Sequence, residues 1–343
     1  MTDSSSDQHP VQILTIGEAL TDIVHRPGQS PEEHPGGSPM NVAVALGRLG
    51  HDSHLLTHLG TDERGRRIRT HLADSRVTLT AGSVQEGATS TARADIAEDG
   101  AAEYEFDLDW SPNPVGLPDS PAAVHTSSIA ATRSPGASVV REEIQRLHPH
   151  ALISYDPNAR SALMGEAADV RGVIEANAAL ADVVKASDED LQWLYGAGEE
   201  ERACAAFLQR GALLAVLTRG ADGATAFTAA GRIDVPGAPT DVADTIGAGD
   251  TFSAGLIDGL VRLGVLTPSA GGAADGAGEA ARERLTALGA EQVTALVRHA
   301  AQLASVTVSR TGANPPWLHE IGDRLDGSLA GPSGTSTSKK VEQ

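Results

Sequence analysis

"DTIGAGDTFSAGL", residues 244–256, is the stretch on which the reading of this chain turns. Gly247, Ala248 and Gly249 carry almost no side chain, and Asp250 follows directly. Phe252, Leu256 and Leu260 then recur at helical spacing, so a helix starts near Gly247. Glycine lowers helix propensity, so two of them at a helix start call for a reason. The first amides of a helix lack internal partners, and the helix dipole favours negative charge beside them. Small residues let an anion reach those amides. Asp250 in the same turn would repel the anion unless it takes a proton from a hydroxyl that attacks phosphorus. The competing reading is local, with Gly-Ala-Gly as a tight turn and Asp250 as a cap.

Composition narrows the classes. The 343 residues suffice for one large domain or two smaller ones. Aromatics make up only 3%, so the core must be built mainly from Ala, Val, Leu and Ile. With 26 basic against 46 acidic residues the formal net charge is −20. That argues against a nucleic acid or an anionic membrane as partner, because phosphate surfaces need basic patches. It leaves open a small anion held by backbone amides. Cys204 is the single cysteine, so no intramolecular disulfide forms. Its setting, "ERACAAFLQR", is an amphipathic helix and favours a small buried hydrophobe over a reactive thiol. The first ten residues lack the basic and apolar regions of a signal peptide. No apolar run approaches the roughly 20 residues of a membrane span. The expected location is the cytoplasm.

The apolar runs alternate in type. "VQILTIG", "SHLLTHLG", "ALISYD", "ALADVVKAS", "GALLAVLTRG" and "ATAFTAAG" read as strands. "PMNVAVALGRLG", "DERGRRIRTHLADS", "ERACAAFLQR" and "AEQVTALVRHAAQLASVTV" read as helices, the first capped by Gly50. Strand followed by helix predicts a mostly parallel sheet covered by helices. Residues 89–108 break the pattern with two strand-like runs around Asp99-Gly100, a hairpin signal. The Pro-rich residues 27–35 are candidates to join that flap. Residues 267–281, rich in Gly and Ala, read as a surface loop, and residues 1–10 and 323–343 as disordered tails. His51, His54 and His58 have metal-ligand spacing for a helix, but the strand reading scatters them. No GxxxxGK[ST], HRD or DFG motif is present, which excludes P-loop and protein kinases.

Seven motifs in fixed order carry a resemblance. "GEALTDIV", "GGSPMNVAVALGRLG", "LGTDERGRRI", "SYDPNAR", "VKASDEDL", "LTRGADGATAF" and "DTIGAGDTFSAGLI" resemble those of the ribokinase-like (PfkB) carbohydrate kinases. The resemblance implies an α/β fold with three layers, α/β/α, around a mostly parallel sheet. It places one kinase domain at residues 11–322, with a small β-lid from about 20–35 and 87–110 that closes over the sugar. It also implies ATP as phosphoryl donor and Mg2+ as counter-charge. On the matching positions, Asp250 looks like the catalytic base and Gly247, Ala248 and Gly249 like the anion hole. Asp22, Gly37 and Asn41 look like sugar contacts. Thr218, Gly220 and Gly223 match the nucleotide turn, and Ser187 a further nucleotide contact. Asp190 stands where the family often has Glu, one methylene shorter, for a water-mediated hold on Mg2+. Asp244 is either a K+ ligand, as in members activated by potassium, or a cap or turn residue. Arg160 lies near the sugar or the phosphates, or else forms a structural pair with Asp156.

The motifs look most like bacterial fructokinases and 2-keto-3-deoxygluconate kinases. Asp22 would repel a carboxylate, which favours a neutral ketose such as fructose. Alternatives are 2-keto-3-deoxygluconate, ribose or a nucleoside, and, from another class, a non-catalytic sugar- or nucleotide-binding regulator. Lids of this family often form a dimer contact, so a homodimer through the lid is compatible with the resemblance.

Overall fold

In the computed structural model, which describes residues 10–97, 102–268 and 276–322, thirteen strands form two sheets. In chain order they are β1 (Gln12–Ile16), β2 (Leu20–His25), β3 (Glu32–Gly36), β4 (Asp52–Leu56), β5 (Val77–Leu79), β6 (Thr91–Ile96) and β7 (Ala102–Asp107). There follow β8 (Ala123–Ser127), β9 (Leu152–Asp156), β10 (Val183–Ser187), β11 (Leu214–Thr218), β12 (Ala224–Thr228) and β13 (Gly231–Val235). The larger sheet runs β13-β12-β11-β10-β9-β8-β1-β4-β5, parallel from β11 to β5 with an antiparallel edge of β12 and β13. β8 and β9 are buried along their whole length, as strands covered on both faces must be. β4 and β5 add to one side of β1, while β8 to β11 add to the other. The order therefore reverses between β1 and β8. In open α/β sheets the crevice beyond the carboxyl ends of such strands is where ligands bind.

Side chains alternate across the sheet, so each face has its own composition. Leu14, Ile16, Val124, Ile153, Tyr155 and Val184 pack on Val140, Ile144, Val170, Ile174, Leu191 and Phe207 of the helices that cover one face. Ile13, Ala123, Leu152, Val183 and Leu214 pack on the helices Ser38–Arg48, Ala248–Arg262 and Ala290–Val308 through Val42, Leu46, Phe252, Leu256, Leu260 and Leu296. The three layers are those the resemblance implies. On the second face the strands become polar toward their carboxyl ends. The series are Ala123, His125, Ser127 in β8, then Leu152, Ser154, Asp156 in β9, then Val183, Lys185, Ser187 in β10. The apolar half anchors the helix Ala248–Arg262, and the polar half lies against its first turns, where Ser253 Oγ donates to Asp156 Oδ2 at 3.3 Å.

The second sheet runs β3-β2-β6-β7, with β2 and β6 parallel and the outer pairs antiparallel. Residues 32–36 supply its edge strand. The Asp99-Gly100 turn of its hairpin lies outside the described residues. Asp62 ties this sheet to the body, accepting from the Thr89 amide and hydroxyl and from the Gly65 amide. Arg64 and Arg67 add ion pairs to Glu33 of β3.

One expectation fails. Residues 267–281 are not one loop, because a helix spans Ala277–Thr286 and buries Gly278, Ala281 and Leu285. Gly278 is small for a reason: a Cβ there would sit 2.9 Å from the carbonyl oxygens of both His148 and Pro149. Residues 269–275 and both tails, except residue 10, lie outside the described residues. The three histidines take separate partners: His51 pairs with Asp258, His54 with Asp52, and His58 accepts from the Ser111 amide. Cys204 is buried, and burial pushes its thiol up to about 12. Among the described residues no helix is long and apolar enough to cross a membrane.

Candidate active site

The helix Ala248–Arg262 begins on Gly247, whose φ of 75° is left-handed. A Cβ at Gly247 would come within 2.7 Å of the Ala313 Cβ, so space and backbone both demand glycine. The Thr251 amide donates to the Gly247 carbonyl at 2.9 Å. The amides of Gly249 and Asp250 precede that bond and have no acceptor within the helix.

Asp250 does not cap this helix. Ser38 Oγ donates to its Oδ1 at 2.7 Å, and Asn41 Nδ2 donates to its Oδ2 at 2.8 Å. Ser38 Oγ in turn accepts from Asn158 Nδ2 at 2.6 Å and pairs with Ser127 Oγ at 3.0 Å. The carboxylate is thus aimed by the helix Ser38–Arg48, the end of β8 and the loop after β9. Asn158 and Ser128, the residue after Ser127, have left-handed φ values of 36° and 58°. Strained backbone of this kind gathers at sites where geometry is imposed.

The Gly36-Gly37 pair sets the approach of that helix. A Cβ at Gly36 would lie 1.9 Å from Asp22 Oδ2, and one at Gly37 would lie 2.4 Å from the Glu18 carbonyl oxygen. The two glycines thus let Glu18, Asp22 and the start of the helix share one small volume. Burial pushes the Asp22 carboxyl up to about 6, against the pull of Arg160 and His34. Burial pushes Glu18 up to about 8, although Arg160 and the Ala130 amide favour its charge.

Arg160 is exposed and donates to Asn158 Oδ1 at 2.6 Å. Its structural pairing with Asp156 does not form. Strand alternation turns Asp156 onto the buried face, where Lys185 Nζ donates to it at 2.9 Å. Asp190 Oδ1 accepts from the Ala159 amide at 2.8 Å, and its Oδ2 closes a capping box with Ser187. Thr218 is the register partner of Ser187 on the next strand. Gly220 and Gly223 form the turn from β11 to β12, and a Cβ at Gly223 would lie 2.2 Å from the Val235 carbonyl oxygen. Asp244 accepts from the Ile246 amide at 3.0 Å and the Gly312 amide at 2.8 Å, which makes it a turn residue rather than a cap.

Asp250, Asn41 and the Gly247 turn therefore meet directly. Asp22, Gly37 and Arg160 border them on one side. Ser187, Asp190 and Thr218 continue the row along the next strand ends, with Gly220 and Gly223 in the turn beyond β11, while Asp244 adjoins the Gly247 turn. Sequence reading passed over Ser38, Asn158 and Lys185, although each lies inside a motif chosen for another residue. Ser127 lies in "AVHTS", a short polar strand with no signal of its own.

The family description "pfkB family carbohydrate kinase" matches residues 12–320. A fructokinase of Rhizobium leguminosarum bv. trifolii is 32% identical over 266 residues, covering 74% of this chain and 81% of the relative. An aminoimidazole riboside kinase of Salmonella typhimurium is 31% identical over 259 residues, covering 73% and 81%. A fructokinase double mutant from Vibrio cholerae O395, crystallised in a form that binds fructose, ADP and potassium ion, superposes with a TM-score of 0.73. It is 25% identical and covers 93% of this chain and 100% of that one. Fold, site geometry and sequence agree that this protein belongs to the pfkB family of carbohydrate kinases and is an ATP-dependent sugar phosphotransferase.

Proposed function

We propose that this kinase phosphorylates a terminal hydroxyl of a small neutral ketose, with fructose as the first choice and Asp250 as the base. The observation that carries the reading is the Asp250 carboxylate. It sits in the first turn of a helix with two free amides and is aimed by Ser38 and Asn41 beside the Asp22 pocket. The sugar hydroxyl gives its proton to Asp250 as its oxygen bonds to the γ-phosphorus, and the bond from that phosphorus to the β-phosphate bridging oxygen breaks to release ADP. The amides after Gly247, with Ala248 and Gly249 leaving them uncovered, receive the charge that gathers on the phosphoryl oxygens. Asp22 accepts from sugar hydroxyls, while Asn41 offers both donor and acceptor. Gly37 keeps the helix close enough for these contacts. Fructose is supported by relatives named fructokinase, at about 30% identity over most of the chain.

ATP lies along the row of strand ends in this reading, with Ser187, Thr218, Gly220 and Gly223 beside its phosphates or ribose. Mg2+ would be held through water by Asp190, whose oxygens keep lone pairs beyond their two amide bonds. When bound, it neutralises phosphate charge. Asp244 and neighbouring carbonyls are oxygen donors suited to K+, the ion held by the Vibrio fructokinase. The four-stranded sheet acts as the lid over the sugar. Tyr104, 57% exposed and stacked on Phe106, favours a homodimer through that sheet, which sedimentation of Tyr104→Glu against wild type would test.

The deciding experiment is kcat/KM for fructose, ribose, 2-keto-3-deoxygluconate and aminoimidazole riboside, measured side by side with ATP and Mg2+. Fructose is expected to lead. A tenfold advantage for the keto-deoxy acid would make Arg160 a carboxylate clamp, and a riboside in first place would reject the ketose.

Asp22 also predicts a pH dependence. Burial pushes its carboxyl up to about 6, and the ionised form is the stronger acceptor of hydroxyl bonds. KM for the sugar is therefore expected to rise as pH falls through about 6, and Asp22→Asn should have a higher KM that no longer changes there. A wild-type KM that stays flat from pH 8 to 5 would remove Asp22 from sugar binding.

A further inference from the structure

Lys185 has no part in the chemistry above. It lies on β10, between Val183 and Ser187 on the face that meets the helix Ala248–Arg262. Its side chain is 6% exposed, and a lysine so buried keeps its charge only among strong partners. Nζ donates to Asp156 Oδ2 at 2.9 Å. A Cβ built on Gly249 would fall 2.9 Å from the same nitrogen. The ammonium therefore lies against the helix start, on the side of Gly249 that a Cβ would take.

The groups around it come from four elements. Asp156 ends β9, Asp190 belongs to the helix after β10, Asp250 to the helix above, and His125 to β8. Burial works against the lysine's charge, but Asp156, Asp190 and Asp250 outweigh it and hold the ammonium above its ordinary range. Burial, with Lys185 adding to it, pushes His125 down to about 3, so this histidine is neutral. One carboxylate, Asp156, thus touches the cation, and two more, Asp190 and Asp250, act on it through the interior at the place where a phosphate arrives in this reading. Without the cation, the helix amides alone would have to overcome carboxylate repulsion in a poorly screened interior.

We propose that Lys185 is a positioning residue for phosphoryl transfer: from beside Gly249 its ammonium offsets Asp156, Asp190 and Asp250, so that the helix start accepts phosphoryl charge. The inference rests on the reading of Asp250 and Gly247 to Gly249 as the transfer site. A Cβ at position 249 would displace the ammonium from this place.

The competing account is a structural ion pair, in which Lys185 does no more than neutralise Asp156. Kinetics of Lys185→Met, Asp156→Asn and the double variant separate the two, with fructose and ATP as substrates. The double variant removes both buried charges, so it keeps the test open if Lys185→Met alone is too unstable to assay. The expected result is a kcat lowered roughly ten- to hundredfold in Lys185→Met and equally in the double variant, with both KM values within about threefold of wild type. A double variant restored to within about threefold of the wild-type kcat would leave Lys185 as the counter-ion of Asp156 and overturn the proposal. So would a Lys185→Met enzyme that turns over like wild type. A wild type inactive on every sugar tested would instead reject the transfer-site reading, and the inference with it.

Discussion

Asp250→Asn is expected to lower kcat by roughly 10²–10⁴-fold while nucleotide affinity stays within about threefold. The substitution keeps shape and removes the proton acceptor. It also has a structural consequence that must be separated from the chemistry. Ser38 Oγ and Asn41 Nδ2 both donate to the present carboxylate. An asparagine offers one oxygen and one NH2, so one of the present bonds would be lost: Asn41 Nδ2 would face another donor, or Ser38 Oγ would have to accept where it now donates. Losing that bond costs about 1 kcal/mol of stability and cannot account for a 10³-fold rate loss. Melting of the variant, measured with its kinetics, checks this division. Turnover within about threefold of wild type would take Asp250 out of the proton-transfer role.

Gly37→Ala is expected to lower kcat/KM for the sugar by about 10²-fold, with nucleotide binding little changed. Two effects combine. A φ of 113° is a conformation that alanine resists, and the new Cβ would lie 2.4 Å from the Glu18 carbonyl oxygen. Backbone strain alone costs about 1–3 kcal/mol. Relief requires the helix Ser38–Arg48 to move away from β1 and β2, which withdraws Ser38 and Asn41 from Asp250. Gly28→Ala provides the control, because Gly28 has a φ of 73° but nothing within 4 Å of its Cβ position. It should carry the strain without the kinetic loss. Equal kinetic effects at the two positions would show that close approach at Gly37 is irrelevant to the site.

Much of the site was readable because its chemistry is carried by local pattern. Gly247, Ala248, Gly249 and Asp250 are contiguous, and the properties of a helix start belong to the chain itself. Asn41 and Gly37 lie within one short motif. What escaped reading was what aims Asp250. Ser38, Ser127 and Asn158 come from three distant parts of the chain, and a serine or asparagine beside a more telling residue gives no sign of its direction. Lys185 was hidden for a related reason. A lysine in "VKASDEDL" resembles a strand-end surface charge until alternation and the neighbouring strands put it inside. The supposed Asp156–Arg160 pair fails because β9 ends with Asp156 on the buried face beside Lys185, while Arg160 lies beyond the strand, exposed and bonded to Asn158.

The sequence by itself determined the alternation of strands and helices, the place of the antiparallel strands β6 and β7 and the helix start at Gly247. Each of these depends on periodicity or on turn chemistry within a few residues. The tertiary structure alone decided that the strand order reverses between β1 and β8. It also decided that the polar ends of β8, β9 and β10 converge beneath the helix Ala248–Arg262. The physical reason is the packing of that helix. Phe252, Leu256 and Leu260 seat it on the apolar half of the sheet face, and its first turn then falls on the polar half. There Lys185 is drawn to Asp156 beside Gly249, and Asp250 is drawn to Ser38 and Asn41. Those pairings span up to 212 residues of chain, and only burial in a common layer makes them neighbours.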